Sequence, residues 1–190
     1  MSERRLLLLD LAVKAALVAL LLFGVFSGLE RFEGKAMAGR ALTYPLAALI
    51  VPLGWWLWFR RSRYPYALDI LLVLPFLIDT AGNALDLYDS VDWWDDANHL
   101  VNWLILVLGF GTVLLRTSLW PAVVFGLALG FGAVTHILWE IGEYFAFIRD
   151  NPDEYETAYT DTVGDLALSL TGSCLAAVAL AVTARRRSSL

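Results

Sequence analysis

Long apolar segments alternate with short polar ones along this chain, and the alternation recurs six times. A helix needs roughly 20 apolar residues to cross the hydrocarbon core of a bilayer. Segments of this kind cover residues 6–28, 42–59, 66–85, 99–115, 119–147 and 162–183. The pattern predicts an all-α, polytopic integral membrane protein, a six-helix transmembrane bundle that forms a single membrane domain over residues 1–190. Hydrophobic residues make up 59% of the chain, and six spans leave no room for a separate soluble domain.

Basic residues mark one side of this predicted bundle. Lys and Arg accumulate on the cytoplasmic flanks of membrane helices. The termini and the connections after the second and fourth segments contain nine arginines: Arg4, Arg5, Arg60, Arg61, Arg63, Arg116, Arg185, Arg186 and Arg187. This distribution predicts that both termini are cytoplasmic, although Arg31, Lys35 and Arg40 fall in the first outer loop. The opposite face is acidic, which attracts cations and argues against a nucleic-acid partner.

Four of the six segments also contain polar side chains near the predicted outer side. Residues four and seven apart share one helix face, and several of these side chains have that spacing. They are Asp79, Asn83 and Asp86; Asp96, His99 and Asn102; His136, Glu140 and Glu143; and Asp161 and Asp165. Ionisable groups at membrane depth are costly unless they are paired, hydrated or metal-bound, so they indicate a functional site. The spacing predicts that four helices turn these side chains inward to form one outward-facing pocket.

The residue types in this pocket favour a metal ion. Seven carboxylates cannot all be ionised side by side without a compensating positive charge. Histidine combined with carboxylate suits zinc, manganese or iron, whereas calcium and magnesium prefer oxygen ligands alone. No organic cofactor is indicated. The predicted metal ligands are Asp96, His99, His136, Glu140, Asp161 and Asp165, the candidate general bases are Glu143 and Asp79, and the supporting polar residues are Asn83, Asp86 and Asn102.

Other polar and small residues receive structural interpretations. Asp69 is expected to be a helix cap or interface residue, and Gly126 and Gly130 form a small-xxx-small pair that predicts close helix packing. Apart from these, the inner half of the bundle is expected to be nearly devoid of polar residues. Two acidic runs are expected to be hydrated loops: Asp89, Asp92 and Asp95, and then Asp150, Asp153, Glu154 and Glu156 with a turn at Asn151-Pro152.

The order of these motifs resembles that of a known group of membrane proteins. The quoted elements are Asp79 and Asp86, Asp96-Ala97-Asn98-His99, His136 to Glu143, and Tyr159-Thr160-Asp161-Thr162-Val163-Gly164-Asp165. Together they resemble the YjdF-like family of small bacterial inner-membrane proteins, and the last element is loosely similar to the VanZ-like group. The resemblance covers roughly residues 75–175. It implies a bacterial inner-membrane location, and it implies no particular activity.

Three classes of function fit the pattern. The first is a metal-dependent hydrolase or transferase in the membrane, which faces the periplasm and acts on a lipid or envelope precursor. The second is a transporter or binding protein for metal ions or other cations, although a transport path should also carry polar groups through the inner half. The third is a structural or accessory subunit in which the cluster is a hydrogen-bonded network. The chain has no G-x-S-x-G motif and no Walker-type loop. Membrane lipids are expected neighbours, and the pattern specifies no oligomeric state.

Overall fold

Seven α-helices make up most of the protein in a computed structural model, which describes residues 2–149 and 155–188. Within these ranges the chain forms no strand. The helices are α1 (Glu3–Phe26), α2 (Met37–Gly54), α3 (Tyr66–Ala84), α4 (Leu87–Ser90), α5 (Trp94–Leu114), α6 (Pro121–Glu143) and α7 (Tyr155–Ser188). All except the short α4 are long and apolar enough to cross a membrane. The prediction of an all-α protein with six spans is therefore confirmed.

Several helices extend beyond the apolar segments that predicted them. Helix α5 begins at Trp94 rather than at residue 99, and α7 begins at Tyr155 rather than at residue 162. Polar flanks can continue a helix because its backbone hydrogen bonds do not depend on apolar side chains. Asp95 and Glu156 consequently lie in helices, not in the expected loops. The remaining residues of the second expected loop, Asp150, Asp153 and Glu154, and the expected Asn151-Pro152 turn lie outside the described residues.

The local sequence explains where α6 begins and where α3 ends. Pro121 occupies the first turn of α6 after an extended Trp120, and proline suits this position because the first amides of a helix have no intrahelical acceptor. Asp86 adopts a left-handed conformation with a φ of 62° just after α3. This conformation is uncommon outside glycine, asparagine and aspartate, and it ends the helix. Asp86 is thereby separated from the face that Asp79 and Asn83 share.

The chain divides into two compact units. In the first, Met1–Asp92, helix α1 packs against α2 and α3. Leu17, Leu21 and Val73 are almost fully buried in its interior. The ring of Tyr44 meets that of Phe76 edge to face, with the centroids 4.8 Å apart. A π-helical stretch, Trp55–Phe59, follows α2 directly.

The first unit also contains buried charges where the sequence predicted an apolar half. Asp10 and Asp69 are 4% and 0% exposed, and Lys14 contacts both carboxylates. Asp69 is therefore a buried ion-pair partner rather than a helix cap. The expectation of a nearly nonpolar inner half is wrong, because an aspartate and a lysine four residues apart on α1 meet an aspartate of α3. An apolar segment tolerates such residues better when opposite charges are in contact.

In the second unit, Trp93–Leu190, helices α5 and α6 both pack against α7. The core consists of Val107, Leu114, Val124, Ala128, Ala176, Ala177 and Leu180. Close approach depends on Gly172, where an added Cβ would collide with the backbone oxygen of Leu100. By contrast, a Cβ at Gly126 or Gly130 would meet no atom of the described residues within 4 Å. The close helix packing predicted at Gly126 and Gly130 is therefore found at Gly172 instead.

Replacing Gly172 with alanine should destabilise the second unit by about 1–3 kcal/mol, because the new methyl group forces the backbones of α5 and α7 apart. Gly164→Ala on the same helix is the matched control. It places the methyl group in open space and should be neutral or slightly stabilising, since alanine favours helix by about 1 kcal/mol over glycine. Thermal unfolding in detergent measures both variants. Equal effects of the two substitutions would contradict the packing described for Gly172.

Candidate metal centre

His99 lies in the second turn of α5, where it meets side chains from two helices. Its Nε2 is 3.8 Å from a carboxylate oxygen of Asp95, one turn earlier, and 3.5 Å from one of Asp165 on α7. The His99 side chain is 6% exposed and that of Asp165 is 5% exposed. Gly172, two turns beyond Asp165, permits the close approach of α7 to α5. The packing therefore brings a buried imidazole nitrogen against two carboxylates.

The other ring nitrogen of His99, Nδ1, contacts the hydroxyl of Ser169, and this contact determines the tautomer of the neutral ring. The hydroxyl of Ser169 donates to the backbone oxygen of His99 at 3.2 Å, so its lone pairs face Nδ1 at 3.3 Å. Nδ1 must then carry the proton and donate to Ser169. In the neutral ring, Nε2 presents a lone pair to the oxygens of Asp95 and Asp165. Such an arrangement is repulsive unless a positive charge, an added proton or a metal ion, lies between the nitrogen and the carboxylates.

A second imidazole and carboxylate meet in the same way on α6. Nε2 of His136 lies 2.8 Å from a carboxylate oxygen of Glu140, one turn later. Despite this distance, both atoms are buried and neither has a hydrogen-bond partner with suitable geometry among the described residues. Buried polar atoms without a partner are rare in native proteins, and an ion is one common explanation. This pair therefore also has the arrangement of two ligand atoms around a cation.

Trp103 holds the two imidazoles in place. Its ring stacks on His99 at a centroid distance of 5.7 Å with planes 5° apart, and it meets His136 edge to face at 4.5 Å. The centroids of the two imidazoles are 5.4 Å apart. Sequence reasoning missed Trp103. Its position four residues after His99, on the same helix face, is the signal that could have indicated this contact.

Two groups of side chains in the second unit could hold a metal ion. One consists of His99, His136 and Glu140, and the other of Asp95, His99 and Asp165; in each group one ligand atom per residue lies within 4.8 Å of the others. His99 belongs to both. Four of the six predicted ligands are therefore present in these groups, and Asp95 joins them although the sequence assigned it to a loop.

Asp96 and Asp161, the other two predicted ligands, belong to neither group and are exposed. Helix geometry explains the exchange of Asp96 for Asp95. Successive residues are 100° apart, so the residue four positions before His99 points more nearly along its face than the residue three positions before. Asp161 lies one turn before Asp165 on α7, closer to the start of that helix.

Glu143 follows Glu140 by three residues at the end of α6 and is half-buried. Trp139, one turn earlier, forms a side-chain hydrogen bond with its carboxylate. The predicted supporting residue Asn102 is buried on α5, and its amide nitrogen donates to the side-chain oxygen of Asn98 at 3.1 Å. Glu143 thus contacts Trp139 and lies one turn beyond the candidate ligand Glu140. Asn102 forms a hydrogen-bonded pair with Asn98, one turn earlier on α5.

Asp79, the other predicted general base, belongs to the first unit and has its own partners there. Arg40 forms an ion pair with one of its oxygens, and Tyr44 donates to that oxygen at 2.7 Å. Tyr88 donates to the other oxygen at 2.7 Å. Asn83 donates to the backbone oxygen of Asp79 at 3.0 Å, which makes Asn83 a buried helix-internal contact. A carboxylate with an arginine and two phenols as donors is suited to holding helices together.

Substituting Arg40 with glutamine should cost about 3–5 kcal/mol of stability, since the Asp79 carboxylate stays buried without its positive partner. The double variant Arg40→Gln, Asp79→Asn should recover most of this loss, because it removes the buried charge as well. A double-mutant cycle followed by circular dichroism in detergent measures the coupling. Additive losses would show that Asp79 does not depend on Arg40.

Comparison with known proteins also indicates that the chain is a membrane protein. A family model described as "Predicted membrane protein (DUF2238)" matches residues 12–186, nearly the whole chain. No curated protein and no solved structure matches the chain. The match includes all six candidate spans in whole or in large part, together with both groups of potential metal ligands. The chain belongs to the DUF2238 family of predicted membrane proteins.

Proposed function

We propose that this membrane protein binds a divalent cation at His99, His136 and Glu140, and that Asp95 and Asp165 form an alternative set of ligands with His99. One observation carries the proposal: Nε2 of His136 and a carboxylate oxygen of Glu140 lie 2.8 Å apart, and both are buried without a hydrogen bond to the described residues. A positive ion between these atoms turns repulsion into coordination. The hydrogen bond between Ser169 and Nδ1 of His99 supports this arrangement, since metal-binding histidines usually donate their second ring N–H to a neighbouring group.

The donor set favours zinc, manganese or iron over calcium and magnesium, because it combines imidazole with carboxylate. Two histidines and one glutamate also leave a coordination position for water or substrate, as in catalytic zinc sites. A metal bound there would polarise a carbonyl or phosphoryl oxygen, or lower the pKa of bound water. Glu143, three residues beyond Glu140, is our candidate for the general base. This chemistry is that of a metal-dependent hydrolase or transferase.

The position of the ligands in the chain suggests the class of substrate. They lie near the start of α5, near the end of α6 and in the N-terminal part of α7. The distribution of arginines supports a topology with cytoplasmic termini, and the ligands would then face the periplasm at the level of the lipid head groups. We therefore propose a lipid or envelope precursor as the substrate and the bacterial inner membrane as the location. The resemblance to the YjdF-like family supports the same location.

Purified protein should bind about one zinc or manganese ion per chain in equilibrium dialysis, and binding should weaken as the pH falls, since protons compete for the ligands. His99→Ala and His136→Ala should abolish binding. Ser169→Ala should lower the affinity by roughly 10–100-fold, because it removes the hydrogen bond that orients His99. Absence of stoichiometric metal from the supplemented wild-type protein would overturn the proposal.

Asp96→Asn is the matched control for these variants. Asp96 is an exposed carboxylate next to Asp95 and outside both ligand groups, so the variant should retain the metal. Thermal unfolding of every variant separates the proposed function from a scaffold. If the site binds metal, the histidine variants should lose the ion and still fold. If the cluster is only a structural network, the histidine variants should unfold at a lower temperature, and their metal content should not change.

The proposed topology predicts opposite labelling of two engineered cysteines in a Cys174→Ser background. Asp92→Cys lies in the exposed connection before α5, and Ser62→Cys lies in the exposed connection after α2. A membrane-impermeant thiol reagent should label position 92 in intact cells, and position 62 only after the membrane is permeabilised. The reverse result would place the site on the cytoplasmic side.

Transport of a cation is a second candidate function, and one observation favours it. Buried ionisable groups within membrane spans often belong to ion pathways, and the first unit contains such groups in Asp10, Lys14 and Asp69. Uptake of zinc into vesicles that contain the purified protein distinguishes this candidate from an enzyme that retains its metal.

A further inference from the structure

Three charged side chains form a buried cluster in the first unit, apart from the proposed metal ligands. Asp10 and Lys14 are one turn apart on α1, and Asp69 lies near the start of α3. Asp10 is 4% exposed and Asp69 is fully buried, whereas the Lys14 side chain keeps 19% of its surface accessible. Burial of this kind is costly for every charge that lacks a partner.

The hydrogen bonds of the cluster are distributed unevenly between the two carboxylates. Nζ of Lys14 lies 2.5 Å from Oδ2 of Asp69 but 3.3 Å from Oδ2 of Asp10. The hydroxyl of Tyr64 also donates to Oδ2 of Asp69. Burial, and then the hydrogen bond to Asp69, raise the pKa of Tyr64, so the phenol keeps its proton and remains a donor. Asp69 therefore has two strong donors, and Asp10 has one distant donor.

The remaining oxygen of each aspartate has no partner. Oδ1 of Asp10 and Oδ1 of Asp69 are both buried and form no hydrogen bond with the described residues. Among the described residues, Lys14 is the only basic group within 4.0 Å of either carboxylate. Two carboxylates, one ammonium and neutral phenols give a net charge of −1 in a buried place. One further positive charge is therefore required.

We propose that Asp10 and Asp69 form a proton-binding site in which Asp10 carries the proton and Asp69 stays ionised. Uptake of one proton from water converts the Asp10 carboxylate to a carboxylic acid and makes the cluster neutral. Asp10 receives the proton because Asp69 is the better stabilised anion, with Lys14 and Tyr64 as donors. A metal ion is a poorer fit, since it would have to lie beside the ammonium group of Lys14, which repels it.

Infrared spectroscopy of the full-length protein at neutral pH tests this assignment. The wild-type spectrum should contain the C=O stretch of a protonated carboxylic acid that Asp10→Asn removes. In D2O the same band should shift, as the proton exchanges with water. Glu3→Gln is the control, because Glu3 lies on the same helix but its side chain is 72% exposed. This control should remove the bands of an ionised carboxylate instead. Loss of carboxylate bands, rather than the acid band, in Asp10→Asn would show that Asp10 is charged and overturn the proposal.

Thermal unfolding provides an independent measurement. Asparagine resembles a protonated aspartate, so Asp10→Asn should unfold within a few degrees of the wild type. Asp69→Asn should unfold roughly 10 °C lower, since it leaves Lys14 without its main acceptor. The assignment would be contradicted if Asp10→Asn were less stable than Asp69→Asn or failed to fold. A sodium-dependent rise in the wild-type unfolding temperature that Asp10→Asn abolishes would also contradict it, because sodium would then supply the positive charge.

Discussion

Neutralisation of buried charge is the constraint on which the rest of this structure depends. A charged side chain that leaves water must gain an opposite charge or lose its own, because isolated ions in a low-dielectric interior cost many kcal/mol. The chain meets this requirement in three ways. Arg40 pairs with Asp79, Lys14 pairs with Asp69, and the histidines of α5 and α6 face carboxylates across a space suited to a cation.

These three arrangements differ in whether the chain itself supplies all the opposite charge and hydrogen bonds that the buried groups need. The Asp79 carboxylate has donors on both oxygens, so its pairing needs nothing from outside the chain. The Lys14 cluster has one negative charge too many, and the contact between His136 and Glu140 leaves two buried atoms without hydrogen bonds to the described residues. A complete ion pair holds helices together, whereas an incomplete one needs an external cation. The incomplete arrangements are for this reason the candidates for function, a proton in the first unit and a metal ion in the second.

Much of the candidate metal centre could be predicted from helical spacing. His136 and Glu140 are four residues apart on one predicted helix, and His99 lies at the polar end of another. The sequence assigned Asp95 to a loop because it did not show that α5 begins at Trp94 and continues through a polar flank. Nor could it reveal the contact of His99 with Ser169 or that of Trp103 with His136. Those contacts join residues far apart in the chain, and only the packing of α5 against α6 and α7 brings them together.

The sequence by itself determined the fold class and the six spans, because hydrophobic length and helical period are properties of continuous segments. Tertiary structure decided which charges meet. Asp69 and Lys14 are 55 residues apart in the chain, and Asp79 and Arg40 are 39 apart. Pairing over such distances follows from the contacts between helices, which no local pattern encodes. The same contacts turned Asp79 from a candidate base into an ion-pair partner and placed a buried charge cluster where the sequence indicated a nonpolar interior.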